Sequence, residues 1–326
     1  FGPQEIICAD DYHIEAIVSP GMTASAPFDT TVDAEGDIIM PGSAGTLVRY
    51  TGNDFEPLDA PWGHNFECDE GGVFWYYNFP SGELFRWDPE RGIEDIAVLP
   101  AAYSDGSIAV APGGRSVYVA WWIRDADPSK EKSALYRYTE SEGVEKLFDM
   151  PAGVFLRAVE VTGDGEVYIA TTRGIDLLKG SRRETVYRAP DLHVGSDGLT
   201  SDRAGNLYFS AYNRGRVGIF SLDRSGKVGL IAANPPEKPL PFGLSFHEST
   251  NRIICVRKES GELLAVDLDG TVEILNDPSG LTTPIAVEQH PDGRLFVNGD
   301  EAGLLEITAR GRAERFGGEV TSYQPP

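Results

Sequence analysis

A repeated turn constrains the fold of this chain more than any other feature of its sequence. An apolar stretch, a turn of the form Asp-x-x-Gly or a degenerate relative, and a β-rich stretch follow one another seven times. The turn residues of the seven copies are Gly36, Gly72, Gly114, Gly165, Gly205, Asn251 and Gly293. Their mean spacing is about 43 residues, which is the length of one four-stranded propeller blade.

Further strand-like segments follow each turn at a regular interval. Examples are TLVRY at 46–50, ELFRW at 83–87, ALYRY at 134–138, RVGIF at 216–220, ELLAV at 262–266 and a shorter strand at 226–232. Gly, Asn and Asp punctuate the junctions, and no helical periodicity persists over ten residues. The sequence therefore predicts an all-β chain forming a single β-propeller of four-stranded blades over residues 1–326. Seven blades are expected, and six blades with one weak repeat as a cap are the alternative.

The N-terminal segment 1–27 precedes the first copy of the repeat. Its QEIIC and HIEAIV stretches have the pattern of strands. We expect them to pair with the last blade and close the ring, because an open ring would leave two edge strands exposed.

Charge excludes several classes of partner. The chain carries 28 Lys and Arg against 51 Asp and Glu, a net charge of −23, so nucleic acids and anionic membranes are not expected partners. No apolar run is long enough to span a bilayer.

Cys8, Cys68 and Cys255 match no zinc or redox spacing. A small-molecule substrate is the expected partner, an extracellular or periplasmic location is favoured over a cytoplasmic one, and the oligomeric state is open.

The fifth repeat resembles a known group of propellers. Its residues SDGLTSDRAGNLYFSAYNRGRVGIFSLDRSGKV are similar to the repeats of SMP-30/gluconolactonase and strictosidine-synthase-like propellers, and NHL and streptogramin-lyase propellers share much of the pattern. The resemblance spans roughly residues 28–312. It implies a divalent cation, Ca²⁺ or Mg²⁺, at the top of the channel, with Asp197 as one ligand. The family's first-blade Glu has no counterpart at Phe28 and Asp29, and its Asn falls at Asp105 or is absent.

Candidate site residues lie where the innermost strands start, because these loops emerge on one face of a propeller and surround the channel mouth. His64 is a candidate general base or metal ligand, and Asp197 a candidate ligand or catalytic acid. Arg157 is suited to hold a substrate carboxylate. Asp105 lies at an equivalent start, and Trp62 and Asn65 flank His64. The competing interpretation for each is structural, as a blade-edge hydrogen bond, a salt bridge or an Asx turn.

Three glutamates occupy one slot further along the innermost strands. Glu67, Glu160 and Glu288 each follow an apolar residue, so strand alternation is expected to turn their carboxylates toward a shared axis. Such a group binds a cation or keeps a proton with a raised pKa, unless it merely lines the channel. The turn acids Asp33, Asp69 and Asp202, by contrast, are expected to be structural.

The third repeat contains an insertion. The segment WWIRDADPSKEK at 121–132 is predicted to lie over the same face as His64. Trp121 and Trp122 in it, with Tyr76 and Tyr212 from the equivalent connections of the second and fifth blades, outline a predicted aromatic cup.

Three functions remain open at this point. The first is a cation-assisted lactone or ester hydrolase, with Asp197 and channel glutamates as ligands and His64 as base. The second is a metal-independent cyclase, lyase or condensing enzyme, in which a Glu or His moves a proton. The third is a non-enzymatic binding or sensor propeller. Since the sequence has no GxSxG, P-loop, Rossmann or HExxH motif, serine-hydrolase, nucleotide and zincin chemistry have no support.

Overall fold

A computed structural model describes most of the chain. It places residues 12–16, 31–32, 36–41, 46–51, 55–61, 65–69, 71–78, 81–88, 91–99, 107–123, 131–189, 193–235, 237–238, 240–248, 250–275, 284–289, 295–299 and 303–309. The only helical pieces among these residues are two single 3₁₀ turns, Pro112–Gly114 and Lys258–Ser260. No helix in the described part of the chain has the length and hydropathy of a membrane span.

The described strands form four-stranded sheets, which we number in chain order. Sheet 1 consists of β2 Thr31–Val32, β3 Ile38–Pro41, β4 Thr46–Tyr50 and β5 Phe55–Pro61. Sheet 2 consists of β6 Asn65–Cys68, β7 Phe74–Asn78, β8 Glu83–Asp88 and β9 Gly92–Val98. Sheet 3 consists of β10 Ser107–Val110, β11 Val117–Ile123, β12 Lys132–Thr139 and β13 Gly143–Asp149. Sheet 4 consists of β14 Leu156–Val161, β15 Val167–Thr171, β16 Gly174–Lys179 and β17 Arg182–Arg188. Sheet 5 consists of β18 His193–Ser201, β19 Leu207–Asn213, β20 Arg216–Leu222 and β21 Val228–Ala233. Sheet 6 consists of β22 Phe242–His247, β23 Arg252–Arg257, β24 Glu262–Asp267 and β25 Val272–Ile274.

Sheet 7 differs from these six because it combines both ends of the chain. Its strands are β26 Pro284–Gln289, β27 Leu295–Gly299, β28 Gly303–Ala309 and the N-terminal β1 Tyr12–Ala16. β1 runs antiparallel to β28, with Tyr12 opposite Ala309. The described chain thus has six sheets of four consecutive strands and a seventh, composite sheet.

The innermost strands form a ring. β2, β6, β10, β14, β18, β22 and β26 contact one another in this order, and β26 contacts β2. All pairings within the sheets are antiparallel, as a meander requires. The expectation of an all-β single propeller with four-stranded blades is confirmed.

Tight turns define one end of the ring. Where the first and second strands join, a glycine amide donates to the carbonyl three residues earlier, as Gly205 does to Asp202 over 2.9 Å. Gly205 has φ +77°, a conformation that favours glycine. Asp69 and Asp202 accept backbone N–H bonds in their turns, so their predicted structural role is confirmed. Asp33 lies outside the described residues. We call this end the lower end, and the end where the innermost strands start the upper end.

The core lies between neighbouring sheets. Six apolar residues of the innermost strands, including those before the three glutamates, are at most 7% exposed: Phe66, Ile108, Val159, Leu199, Leu244 and Val287. Val159 packs with Ala109 and Leu135 of sheet 3, and Leu199 packs with Tyr168 of sheet 4. Each innermost strand therefore presents its apolar side chains to a neighbouring sheet, and this fixes where its polar side chains lie.

Candidate functional site

Arg157 occupies a β-bulge at the upper end of sheet 4. Leu156 lies opposite Thr171 and Ala158 opposite Ala170, so Arg157 is the extra residue between them. A bulge re-aims the side chain that it carries. The Arg157 guanidinium carbon lies 4.8 Å from the ring centroid of Trp122, which belongs to sheet 3. This cation–π geometry holds a positive charge at the junction of sheets 3 and 4.

Two aromatic rings extend this junction. The ring centroid of Trp122 lies 5.5 Å from that of Phe155, which directly precedes β14. We call Arg157, Trp122 and Phe155 the Arg157 stack. Ser133 ties the two sheets together beside it, because its hydroxyl donates to the Trp121 carbonyl over 3.0 Å and accepts from the Leu156 N–H over 2.9 Å. The stack is firmly held: Trp122 is buried in it, and the half-buried Arg157 and Phe155 present a positive charge and a ring to the upper end.

Glu160 lies further down the same strand. Its position is about 10 Å below Arg157, at the ordinary rise per residue of a strand. It faces sheet 5, where the Ser201 hydroxyl donates to its Oε1 over 2.7 Å. Desolvation by burial raises the pKa of Glu160 to about 7, although hydrogen bonds from Ser201 act in the opposite direction. The carboxyl group is therefore close to half-protonated at neutral pH, the range in which a general acid or base works best.

The three predicted channel glutamates are only partly described. Glu67 is exposed on β6, Glu160 bonds to Ser201, and the side chain of Glu288 lies outside the described residues. No three His, Cys, Asp or Glu side chains of the described chain are close enough to hold a metal ion together. The described donors thus do not form a cation site. A Ca²⁺ or Mg²⁺ ion stays a prediction that depends on Glu288 and Asp197.

Two members of the predicted aromatic cup belong to the core instead. Tyr76 is fully buried in β7, with its ring 4.9 Å from Phe85. Trp121 is 5% exposed and packs edge-on against Tyr136 at 6.2 Å. The placement in a loop was wrong because both strands extend past these residues, to Asn78 and Ile123. Of the predicted cup, Trp122 and Tyr212 remain at the upper end.

The other predicted site residues are placed only in part. Asn65 is buried at the start of β6, opposite Tyr77. Tyr212, 43% exposed, lies near the upper end of β19 in sheet 5. Asp197 falls in the bulge of β18 between Val194 and Leu199, and its side chain is not described. Trp62, His64, Asp105 and the insertion residues 124–130 lie outside the described residues.

Sequence reasoning missed a buried ionic cluster at the upper end of sheet 6. The Glu262 carboxylate accepts from Lys238 Nζ over 2.7 Å, Arg257 Nη1 over 2.8 Å and Ser260 Oγ over 2.9 Å. Burial alone would raise the pKa of Glu262, but these three donors together lower it below its usual value. The five polar residues within the short stretch 257–262 were the available signal. The cluster fixes the connection between β23 and β24 against the loop that precedes β22.

Phe155 and Ser201 were also missed. Phe155 precedes a predicted strand start by two residues, and an aromatic residue there was a usable signal. Ser201 gave no such signal, because it bonds to Glu160, which lies 41 positions away in the chain and in another sheet.

Comparisons with known proteins support the architecture. No family model matches the chain, and no curated protein matches it. Among solved structures, a streptogramin B lyase superposes with a TM-score of 0.70 at 12% identity, covering 92% of this chain and 98% of that one. Inactive virginiamycin B lyase from Staphylococcus aureus with quinupristin gives 0.69 at 13% identity, covering 91% and 99%. The extracellular domain of a hybrid two component system from B. thetaiotaomicron gives 0.66 at 15%, covering 89% of this chain and 39% of that one. At these identities the likeness establishes a β-propeller fold.

Proposed function

We propose that this chain is an enzyme that binds a small organic molecule in the channel, from the upper end down to Glu160 near the lower end of β14, and moves a proton with Glu160. The reaction class is elimination or cyclisation without a metal, the class of a lyase. The observation that carries the proposal is the Glu160–Ser201 pair, in which a carboxyl group with a pKa of about 7 is held by a hydroxyl at 2.7 Å. Perturbed carboxyl groups of this kind concentrate at functional sites.

The Arg157 stack supplies the binding half of the proposal. A ligand whose anionic or aromatic end contacts Arg157 and Trp122 would need to reach about 10 Å down β14 to meet Glu160. A molecule of several linked rings or residues has that length. The likeness of the fold to streptogramin and virginiamycin B lyases agrees with this reaction class.

The proton-transfer step uses only groups of this chain. In an elimination, the ionised Glu160 carboxylate removes a proton from the carbon next to the one bearing the leaving oxygen. The electron pair of that C–H bond forms a C=C bond, and the C–O bond breaks. Ser201 holds the carboxylate in position while it changes charge. Because Glu160 is the base, the rate is expected to rise as pH increases through about 7.

A second candidate is cation-assisted hydrolysis of a lactone or ester. It depends on Asp197, which lies in a bulge of β18 and is followed by Gly198 as in the resembling propellers. The two candidates differ in the fate of water, because hydrolysis consumes one molecule and elimination consumes none. A non-enzymatic sensor, the third function, would bind a ligand without turnover.

Isotope labelling separates the candidates. The purified chain is incubated in H₂¹⁸O with simple lactones, aryl esters and quinupristin, and the masses of the products are measured by mass spectrometry. Elimination predicts ring opening without a mass change and without ¹⁸O. A product heavier by one molecule of H₂¹⁸O would establish hydrolysis and overturn the proposal.

A matched pair of variants tests Glu160 itself. Glu160→Gln keeps the size of the side chain but loses the base, so turnover should fall by about a hundredfold or more. Glu56→Gln changes an exposed glutamate on β5 and should leave turnover unchanged within about twofold. Retention of full turnover by Glu160→Gln would contradict the proposal, and loss of turnover on chelation would favour the cation-assisted reaction.

A further inference from the structure

Four arginines form a continuous group at the upper end of sheets 4 and 5. Arg173 and Arg214 lie in the connections between second and third strands, Arg216 begins β20, and Arg188 ends β17. All four are exposed. We call them the arginine rim.

Backbone and side-chain contacts bring the members of the rim together. The Arg173 carbonyl accepts from the N–H of Ala189, the residue after Arg188, over 3.1 Å. Tyr187 bridges the two sheets, because its hydroxyl donates to Asn213 Oδ1 over 2.9 Å and its ring centroid lies 5.8 Å from the Arg214 guanidinium carbon. The rim therefore spans two sheets as one surface.

The rim is unusual in a chain with a net charge of −23. Among the described residues, none of the four guanidinium groups has a carboxylate partner, whereas Arg49, Arg86, Arg137, Arg183, Arg224, Arg252 and Arg257 all do. Arg115, Arg182 and Arg203 also lack such a partner among these residues, but they lie at the lower ends of three different sheets. Asp191 follows Arg188 closely in the sequence but lies outside the described residues. Unpaired arginines that share one surface are available to an external anion.

Arg214 adds an observation from the backbone. It has φ +50° and precedes Gly215 at φ +75°, in a two-residue hairpin connection where Asn or Gly is the favoured first residue. An arginine in this left-handed conformation is disfavoured. Keeping it there places a guanidinium at the tip of the hairpin, over the ring of Tyr187.

We propose that the arginine rim docks a short acidic segment of a protein partner. Planar guanidinium groups bind carboxylates in bidentate pairs, and Tyr187 and Tyr212 offer ring surface to the segment's side chains. The outermost strand β17 lies three strands from β14, about 14 Å away, so the rim is a surface beside the channel mouth and separate from Glu160. A long polyanion such as a nucleic acid is disfavoured, because its flanks would run over the acidic remainder of the protein.

A peptide-binding experiment tests this docking surface. The probe is a labelled ten-residue peptide of alternating Glu and Gly, with a Gln–Gly peptide and a single-stranded DNA ten-mer as comparisons, measured by fluorescence anisotropy at low salt. We expect the Glu peptide to bind at least about tenfold more tightly than either comparison, and added salt to weaken it.

Two charge-matched variants locate the binding. Arg173→Gln, Arg188→Gln, Arg214→Gln and Arg216→Gln together should weaken binding of the Glu peptide by about tenfold or more. The control combines Arg115→Gln, Arg182→Gln, Arg203→Gln and Lys227→Gln, exposed basic residues at the lower end, and should change it by less than about twofold. Equal affinity for the Glu and Gln peptides, tighter binding of DNA, or equal losses in both variants would overturn the proposal. Circular dichroism establishes that each variant is folded.

Discussion

The upper and lower ends of sheets 4 and 5 use charged side chains in opposite ways. At the lower end, Arg224 bonds to Asp164 of the neighbouring sheet and to the Ala204 carbonyl, so it ties two turns together. At the upper end, the arginine rim has no carboxylate partner among the described residues. The lower end thus uses one arginine to join neighbouring turns, and the upper end presents a group of four arginines outward. Ligand recognition is expected where the internal bonds are missing.

The largest expected effect sharpens this comparison, because it concerns a paired charge at the upper end. Glu262→Ala would leave Arg257 buried without its carboxylate. Removing one partner of a buried ion pair costs about 3–5 kcal/mol of unfolding free energy. Urea denaturation measures this loss. A cost below about 1 kcal/mol would show that a charge can be paired without stabilising the fold. Pairing would then fail to separate structural charges from charges that are available to a ligand.

The second effect concerns Glu160 and depends on pH. Its pKa in the folded protein, about 7, lies above the ordinary 4.5, so the folded state holds the proton more tightly than the unfolded state. Stability from this group is therefore fully present below pH 4.5 and is lost as pH rises toward 7, by about 3 kcal/mol in total. Glu160→Gln should remove this slope, so its stability relative to wild type should increase between pH 4.5 and 7. A difference that stays constant across this range would contradict the burial of the carboxyl group.

A third effect belongs to the lower end. Asp202 accepts from the Asn206 backbone and side chain and from the buried Tyr208 hydroxyl, at 2.8 Å each. Asp202→Ala leaves these donors unsatisfied and should cost about 2 kcal/mol. Thermal and urea denaturation report the change, and Asp223→Ala, at an exposed turn of the same sheet, serves as the milder control. Equal losses of unfolding free energy in the two variants would show that burial of the Tyr208 hydroxyl does not add to the cost of losing Asp202.

The smallest expected effect is at the arginine rim. Arg214→Gln with Arg216→Gln breaks no ion pair of the described residues, so the unfolding free energy should change by less than about 0.5 kcal/mol. A loss above 1 kcal/mol would break the comparison, because it would give these arginines a structural role like that of Arg224.

The fold was largely predictable from the sequence, because its signals are local. Turn glycines and acidic turn residues mark the lower end, and alternation marks the strands. The predicted strand segments 83–87 and 134–138 lie within the observed strands Glu83–Asp88 and Lys132–Thr139. The composite sheet 7 rests on a pairing between residues at opposite ends of the chain, for which only the position of HIEAIV outside the repeats offered a hint.

The candidate site was less predictable, for geometric reasons. Arg157 was found from its place at a strand start, but its contact with Trp122 depends on a bulge that no local pattern announces. Tyr76 and Trp121 were misplaced because a strand that continues by two residues moves a side chain from a loop into the core. Charge pairing was unpredictable for a similar reason, since it depends on distances between sheets and not on spacing along the chain.

The composite sheet also has a consequence for folding kinetics. Each of the first six sheets contains only neighbours in sequence, so it can form as soon as its own segment has left the ribosome. Among the described strand pairings, that of β1 with β28 has the longest sequence separation, and its loop-closure entropy must be overcome before the ring gains any stability from it. We therefore expect ring closure to be the slow, final event of folding, and until it occurs β28 is an open edge available to a wrong partner.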